Sequence, residues 1–272
     1  MLETVDQAYA SALRQAIGAP ARADVADQAT VRLRDALLIV PKDPALRLLA
    51  VMDRPVPPDF AGLLLGDDGM DAPGMIRFVP SGFISADEAL SWSAEDMLAS
   101  LNDTLDQANP ARIKQDRAPL EARRWIAPPR YDLQTHQLSW AALILPKSAP
   151  REAEGGITYH AIGFGRNGYV ELSVATSVQK ADAIERTANS FLSGLNFVAG
   201  KAVADARPSD LRAPSGLAGA MGMAALHKAQ AGGNFWGSDT MVPVIGSVVA
   251  LIGALGLVVY VYRHMRRLRR RV

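Results

Sequence analysis

Hydrophobic positions along the chain follow two different periods. Short runs rich in aliphatic residues predict strands at residues 29–33, 36–40, 61–65, 75–79, 123–127, 138–145, 157–164 and 169–174. Prolines and glycines separate most of the early runs. In the last run, valine and leucine alternate with Tyr169, Glu171 and Ser173. That alternation predicts a sheet with one face toward solvent.

Three longer stretches carry apolar residues at helical spacing and predict helices. The first covers residues 2–17. The second begins at a capping-box pattern, Ser85 and Glu88, and ends at Asn109-Pro110. The third covers residues 184–195. Strands joined by short loops, with helices between groups of strands, indicate an α+β fold with a largely antiparallel sheet and packed helices.

One stretch near the C-terminus is apolar without a break. Residues 241–262 read MVPVIGSVVALIGALGLVVYVY, which is 22 residues without a charge. As a helix this stretch would be about 33 Å long, enough to cross a hydrocarbon core of about 30 Å. Trp236, Tyr260 and Tyr262 place aromatic rings at both predicted interfaces. The sequence therefore predicts one C-terminal transmembrane helix in addition to the α+β body.

Charges are distributed unevenly around this stretch. The last ten residues contain six arginines and no acid, so that 23 basic and 28 acidic side chains remain in residues 1–262. By the positive-inside rule, the arginines predict a cytoplasmic C-terminus and an extracytoplasmic body. They are also candidates for contact with anionic lipid head groups. These residues are Arg263, Arg266, Arg267, Arg269, Arg270 and Arg271.

The N-terminal sequence agrees poorly with an exported body. Residues 1–20 contain acids and lack both the basic and the apolar region of a signal peptide. A tail-anchored protein with its body in the cytosol is therefore the alternative topology. Both topologies predict a protein of the cell membrane that crosses it once and has the lipid bilayer as a partner.

The chain divides into four predicted regions. Residues 1–207 form the α+β domain, and residues 208–240, rich in glycine, alanine and methionine, form a stalk or membrane-proximal segment. Residues 241–262 form the transmembrane helix, and residues 263–272 form the arginine-rich tail.

Small residues recur on one side of the predicted membrane helix. Gly246, Ala250 and Ala254 are spaced four residues apart, a pattern that lets two helices approach closely. A homodimer through this side of the helix is one interpretation. The other is that these are ordinary small residues of a membrane helix.

Composition excludes several kinds of chemistry. The chain contains no cysteine, which rules out disulfides, thiolate nucleophiles and cysteine-ligated metal sites. The mildly acidic body argues against nucleic acid as a partner. No pattern in the sequence predicts a cofactor.

Residues 163–168, GFGRNG, match the G-x-G-x-x-G spacing of dinucleotide-binding loops. Such a loop needs a strand before it and a helix after it, whereas strand-like sequence flanks both sides here. Asn167-Gly168 is a strong signal for a type I′ turn with both residues at positive φ. The prediction is therefore a hairpin without a cofactor.

Candidate catalytic residues lie in the segment at residues 128–136, between two predicted strands. Asp132 could orient His136 as a general base, and Tyr131 could donate a hydrogen bond. The structural alternative is that Asp132 bonds the turn backbone while His136 packs at the start of a strand. His136 and His160 are too few to predict a metal site.

The same segment resembles the core motif W-x-x-P-P-x-Y-D-x-x-T-H-x-L-x-W-A of the bacterial DUF2167 family, membrane-anchored proteins of unknown function. The matching residues are Trp125, Pro128, Pro129, Tyr131, Asp132, Thr135, His136, Leu138, Trp140 and Ala141. The family's G-R-x-G turn is matched by Gly165-Arg166-Asn167-Gly168, whereas Asp210-Leu211-Arg212 stands where the family has an Asp-Lys pair. The resemblance covers residues 29–225. It implies an extracytoplasmic domain with a signal and a C-terminal anchor, and it transfers no catalytic residue.

The leading hypothesis is a membrane-anchored envelope protein that acts as a non-catalytic binding or scaffold module for an envelope partner. Its predicted binding patch consists of Trp125, Tyr131, His136 and Trp140. The first alternative is an envelope hydrolase that uses Asp132 and His136. The second is a membrane regulator or sensor that acts through its transmembrane helix.

Overall fold

The computed structural model describes residues 4–34, 37–66, 70, 72–86, 93–149, 152 and 155–223. These residues form a mixed α+β fold with a large antiparallel sheet and several helices, which confirms the predicted class. Within them, no helix combines the length and the apolar character needed to cross a bilayer. The predicted transmembrane helix at residues 241–262, with Gly246, Ala250 and Ala254, and the arginine tail lie outside the described residues.

Eleven strands among the described residues form two sheets. The strands are β1 Ile17–Gly18, β2 Arg22–Val25, β3 Ala29–Arg32, β4 Leu38–Pro41, β5 Phe60–Leu65, β6 Gly74–Val79, β7 Leu120–Asp132, β8 Gln137–Pro146, β9 Gly156–Phe164, β10 Tyr169–Ser177 and β11 Leu195–Phe197. The large sheet has the order β1-β4-β5-β6-β10-β9-β8-β7, and the small sheet has the order β11-β3-β2. Neighbouring strands are antiparallel in both sheets.

Five α-helices accompany the sheets in the described part of the chain. They are α1 Val5–Arg14, α2 Lys42–Val51, α3 Ala94–Lys114, α4 Ala181–Gly194 and α5 Gly216–Ala220. Helix α2 was not predicted, because Pro44 looked like a break between strands. It lies in the first turn of the helix, where a proline costs little because its missing N–H would have no intrahelical partner.

Helix α3 differs from its prediction at both ends. Its N-cap is Ser93, whose Oγ accepts a hydrogen bond from the backbone N–H of Asp96 at 3.0 Å. The predicted capping box at Ser85 involves Glu88, which lies outside the described residues. The helix also continues past Pro110 to Lys114. Side-chain contacts hold this last part: the amide of Asn109 bonds both backbone groups of Leu120, at 2.8 and 3.0 Å.

The large sheet is covered on two faces. We call its front face the one that carries Trp140. Directly paired residues lie on the same face, and five pairs cross the front face: Val40–Leu63, Leu63–Met75, Met75–Ser173, Ser173–His160 and His160–Trp140. Helices α1 and α2 pack over β4 and β5, whereas α3 and α5 pack over β7 to β9. Strands β6 and β10 lie between these two groups of helices.

The back face packs against helix α4 and the small sheet. This cluster contains Phe191 from α4, Val31 from β3 and Leu172 from β10, all at most 1% exposed. On the other side of the sheet, Leu217 and Met221 are buried in the front-face cluster. The glycine- and alanine-rich segment that follows residue 207 therefore packs against the body as far as Met223.

The β9–β10 hairpin is present, but its turn differs from the prediction. The backbone N–H of Gly165 donates to the carbonyl of Gly168 at 2.8 Å and closes a four-residue loop. Gly168 has a φ of +146°, whereas Asn167 is not among the residues with positive φ, so the turn is not type I′. The neighbouring segment explains this shape. The carbonyl of Asn167 accepts from the N–H of Gly82, and a Cβ on Gly168 would lie 2.0 Å from the carbonyl oxygen of Val79.

Candidate functional site

Ionisable side chains occupy the front face between the two groups of helices. Arg77 on β6 pairs directly with Glu171 on β10, and His160 lies on the adjacent strand β9. The prediction that this face of β10 is solvent-exposed was wrong. Glu171 is 2% exposed and Ser173 is 1% exposed, because the flanking helices and residues 219–222 cover the face.

The ionisable residues form one continuous network. Nη1 of Arg77 donates to Oδ2 of Asp59 at 3.2 Å, and its Nη2 forms an ion pair with Oε2 of Glu171. The other oxygen of Glu171 lies 2.7 Å from Nδ1 of His160. The ring of His160 in turn stacks on Trp140, with 4.6 Å between centroids and 7° between planes.

The network fixes the charge of its members. Burial alone would raise the pKa of Glu171, but the Arg77 guanidinium and the hydrogen bond from His160 lower it to about 2. Burial would lower the pKa of Arg77, but Glu171 and Asp59 raise it above its ordinary value. Burial raises the pKa of Asp59, and Arg77 offsets this only in part. Glu171 and Arg77 are therefore a charged pair at neutral pH.

A cavity of about 470 Å³ opens beside this network. The lining includes the network with Trp140 and residues 219–222, at the C-terminal end of α5. The remaining lining is mostly apolar, and the exposed Lys42 contributes from the N-terminus of α2. Apolar and aromatic contributors are Pro58, Phe60, Phe78, Val79, Pro80 and Tyr169.

The segment that leads to residues 219–222 of the lining is attached to the body at three places. Nε and Nη2 of Arg166 donate to the two oxygens of Asp210, each at 2.7 Å. The guanidinium of Arg212 lies 5.6 Å from the centre of the Phe83 ring. Oγ1 of Thr104 on α3 donates to the carbonyl of Gly222 at 3.1 Å. These contacts hold residues 210–222 against the sheet and helix α3.

Of the predicted binding patch, only Trp140 lines this cavity. Trp125 packs against the front-face cluster and its Nε1 donates to the carbonyl of Ala94, at the start of α3, at 2.8 Å. Tyr131 packs against Phe164, with 5.6 Å between ring centroids. His136 lies in the β7–β8 turn with a φ of +51°. The patch is thus spread over the front-face core and one turn.

The predicted catalytic pair, Asp132 and His136, makes its hydrogen bonds within and beside the β7–β8 turn. Oδ1 of the exposed Asp132 accepts from the backbone N–H groups of Gln134 and Thr135, at 2.8 and 3.1 Å. These hydrogen bonds lower the pKa of Asp132. Nδ1 of His136 lies 3.4 Å from the hydroxyl of Tyr131. This is the structural alternative in which Asp132 shapes the turn backbone.

The His160–Glu171 pair resembles the orienting half of a catalytic triad, but no nucleophile is bonded to it among the described residues. Ser173 is the cross-strand neighbour of His160, yet its buried Oγ makes no hydrogen bond in the described part of the chain. Among those same residues, no group of three or more histidines, aspartates and glutamates is placed to hold a metal ion. The arrangement offers hydrogen-bonding groups beside a largely apolar cavity.

Three members of the network were missed from the sequence. Arg77 is the only charged residue of β6 and Glu171 is the only charged residue of β10, and a lone charge in a mostly apolar strand is the signal that could have identified them. Asp59 follows a proline-rich loop and carries no comparable signal.

Comparison with known proteins gives a family and a weak structural likeness. The sequence profile of DUF2167, described as "Protein of unknown function", matches residues 18–242. No curated protein matches the chain. Among solved structures, the chain is similar to the solution structure of cyanobacterial PsbP (CyanoP) from Synechocystis sp. PCC 6803. The identity is 11%, with 67% of this chain and 91% of that chain covered and a TM-score of 0.36.

Proposed function

Because this chain belongs to the DUF2167 family of proteins of unknown function, we propose its function from its own cavity: it is a non-catalytic binding module. The module takes a small ligand, or one group of a larger envelope component, into the cavity between residues 219–222 and the ionisable network. Its C-terminal segment holds it at the membrane. The body lies on the extracytoplasmic side.

The observation that carries this proposal is a buried ionic network beside open volume. A buried ion pair is often no more stabilising than apolar residues of similar size, because both charges lose their hydration. Packing alone therefore gives little reason for Arg77 and Glu171 to occupy a sheet face that is apolar on either side, with Asp59 beside them just before β5. A cavity of about 470 Å³ also falls in the size range of small-molecule sites.

Sequence features support the proposed location. Residues 241–262 contain no charge and are followed by six arginines within the last ten residues. This combination is typical of a membrane helix with a cytoplasmic C-terminus. Protease access to intact spheroplasts tests the orientation. Digestion of the body from outside supports it, and protection of the body until lysis contradicts it.

The binding function is tested by blocking the cavity. A fragment library is screened for thermal stabilisation of the full-length protein in nanodiscs, for the wild type and for Ala220→Leu, which adds bulk at a lining position. The matched control is Ala99→Leu, on the exposed side of α3. We expect hits that stabilise the wild type and the control but not the blocked variant. Hits that stabilise all three equally would place binding elsewhere.

A further inference from the structure

We infer that the cavity selects an uncharged aromatic ligand that donates a hydrogen bond to Nε2 of His160. This inference rests on the proposed binding function and specifies the chemical class of its ligand. Three features of the cavity lead to it: the pairing of its charges, the orientation of His160, and the aromatic side chains around it.

The buried charges of the site are already paired with one another. Arg77 contacts both Asp59 and Glu171, and Glu171 also contacts His160. An anionic ligand would lose its hydration without gaining a free buried counter-ion, because Arg77 is shared by two carboxylates. A cationic ligand would meet carboxylates whose charge Arg77 already offsets in part, with only Oδ1 of Asp59 making no hydrogen bond within the described residues, so its lost hydration is only partly regained. Lys42 is the other cation of the lining, but it is exposed, so solvent screens its attraction for an anion. An uncharged ligand avoids these costs.

The orientation of His160 defines which hydrogen bond the cavity offers. Nδ1 faces Glu171, which is ionised at neutral pH and can only accept, so the proton of a neutral imidazole resides on Nδ1. Nε2 then carries a lone pair. It makes no hydrogen bond within the described residues, and His160 lines the cavity. A ligand with a hydroxyl or N–H group supplies the matching donor.

The aromatic side chains that line the cavity indicate the shape of the ligand. Trp140 holds the imidazole parallel to its own ring, which fixes the direction of the Nε2 lone pair. Phe60 and Tyr169 contribute further rings on the same face of the sheet. Aromatic side chains interact favourably with another ring in offset or edge-to-face arrangements. The complementary molecule is therefore a ring that carries one donor group.

Four compounds with the same skeleton test the inference. They are 3-phenylpropanol, its methyl ether, 3-phenylpropanoate and 3-phenylpropylammonium. Each is titrated calorimetrically at pH 8 into the full-length protein in nanodiscs, with empty nanodiscs as the blank. We expect the alcohol to bind at least about tenfold more tightly than the other three, which is the effect of one good hydrogen bond or one uncompensated buried charge.

A variant assigns the effect to His160. His160→Phe keeps a ring against Trp140 but removes Nε2, so the alcohol should lose about tenfold in affinity while the ether changes little. Lys114→Gln, an exposed lysine of α3 that does not line the cavity, should change neither. Circular dichroism of each variant confirms that it is folded. If His160→Phe does not fold, the comparison of alcohol with ether in the wild type tests the same hydrogen bond.

The outcomes separate the ligand class from the binding function. Equal binding of the ether and the alcohol, or tighter binding of either ion, overturns the ligand class while leaving a functional cavity. Failure of all four compounds also overturns the ligand class. In that case the fragment screen with Ala220→Leu decides independently whether the cavity binds a ligand at all.

Discussion

Arg166 donates two hydrogen bonds of 2.7 Å to the carboxylate of Asp210, one from Nε and one from Nη2. The pair connects the β9–β10 turn to the segment that leads into α5. The end of α5 contributes residues 219 and 220 to the cavity lining, and residues 221 and 222 follow it. A two-point arginine–carboxylate contact fixes direction as well as distance. The Arg166–Asp210 contact therefore helps to position residues 219–222 of the cavity lining, which begin within the next helix, α5.

Breaking this contact should loosen the wall. Arg166→Gln or Asp210→Asn removes the two-point ion pair, and we expect faster amide hydrogen exchange in residues 211–223 with unchanged exchange in β8 and β9. Mass spectrometry of the exchanged full-length protein measures this. The control is Arg123→Gln, which breaks the more exposed pair with Glu121. Uniform exchange across all variants would mean that the segment is held without the pair.

The buried network should depend more on its cation than on either acid. Arg77→Met leaves Glu171 and Asp59 without their shared partner in a site where the Glu171 side chain is 3% exposed. We expect a loss of about 3–5 kcal/mol in the free energy of unfolding. Glu171→Gln keeps hydrogen-bonding groups in place and should cost less, about 2 kcal/mol. Urea denaturation of the full-length protein in detergent measures both.

The matched control for this comparison is again Arg123→Gln. Its ion pair with Glu121 has side-chain exposures of 38% and 31%, so its loss should cost under about 1 kcal/mol. If Arg77→Met is no more destabilising than this control, Arg77 does not hold the network together.

Acid should weaken the fold through Glu171. The pKa of Glu171 is about 2 in the folded protein against an ordinary value of 4.5, so the folded state binds fewer protons than the unfolded state between these values. Its stabilisation is complete above pH 4.5 and is lost as the pH falls toward 2. The raised pKa of Asp59 acts in the opposite direction.

The Glu171→Gln variant isolates this effect. Arg166 first, and the backbone N–H of Arg207 second, lower the pKa of Asp210 to about 2, so Asp210 also weakens the fold in acid. The difference between wild type and Glu171→Gln cancels that contribution. We expect this difference to shrink as the pH falls from 4.5 to 2. A difference that stays constant over this range would contradict the assignment of an ionised Glu171.

The long strands and the hairpin were predictable because their signals are local, whereas the short strands β1, β2 and β11 were not predicted. Alternating side chains and the Asn167-Gly168 break identify β9 and β10 without knowledge of the rest of the chain. The shape of the turn was not predictable, because the contact of Gly168 with Val79 comes from a strand far away in sequence. Local preference favours type I′, and the tertiary contact overrides it.

The site was not predictable for the same reason. Arg77, His160 and Glu171 meet only because β6, β10 and β9 are neighbours in the sheet, an order that differs from the order along the chain. Alternation correctly separated the two faces of β10, but it could not tell that helices and residues 219–222 bury the polar one. Whether helices cover one face of a sheet depends on the tertiary structure, and the periodicity along a single strand does not indicate it.

Replacing Gly168 by alanine should cost more stability than replacing a glycine that is constrained only by its positive φ, because Gly168 also lies against the backbone of Val79. Gly168→Ala places a Cβ 2.0 Å from the carbonyl oxygen of Val79 while keeping a φ of +146° that alanine rarely adopts. Val79 is paired with Tyr169 at the start of β10, so the clash can be relieved only by separating β6 from β10. We expect a loss of at least about 3 kcal/mol in urea denaturation of the full-length protein.

Gly200→Ala provides the matched comparison. Gly200 has a φ of +80°, but a Cβ at this position would meet no atom of the described residues within 4 Å. Its cost should be the backbone strain alone, about 1–2 kcal/mol. The difference between the two variants then measures the close approach of Gly168 to Val79. Equal losses would show that backbone angle, rather than the packing of the turn against β6, makes glycine necessary at residue 168.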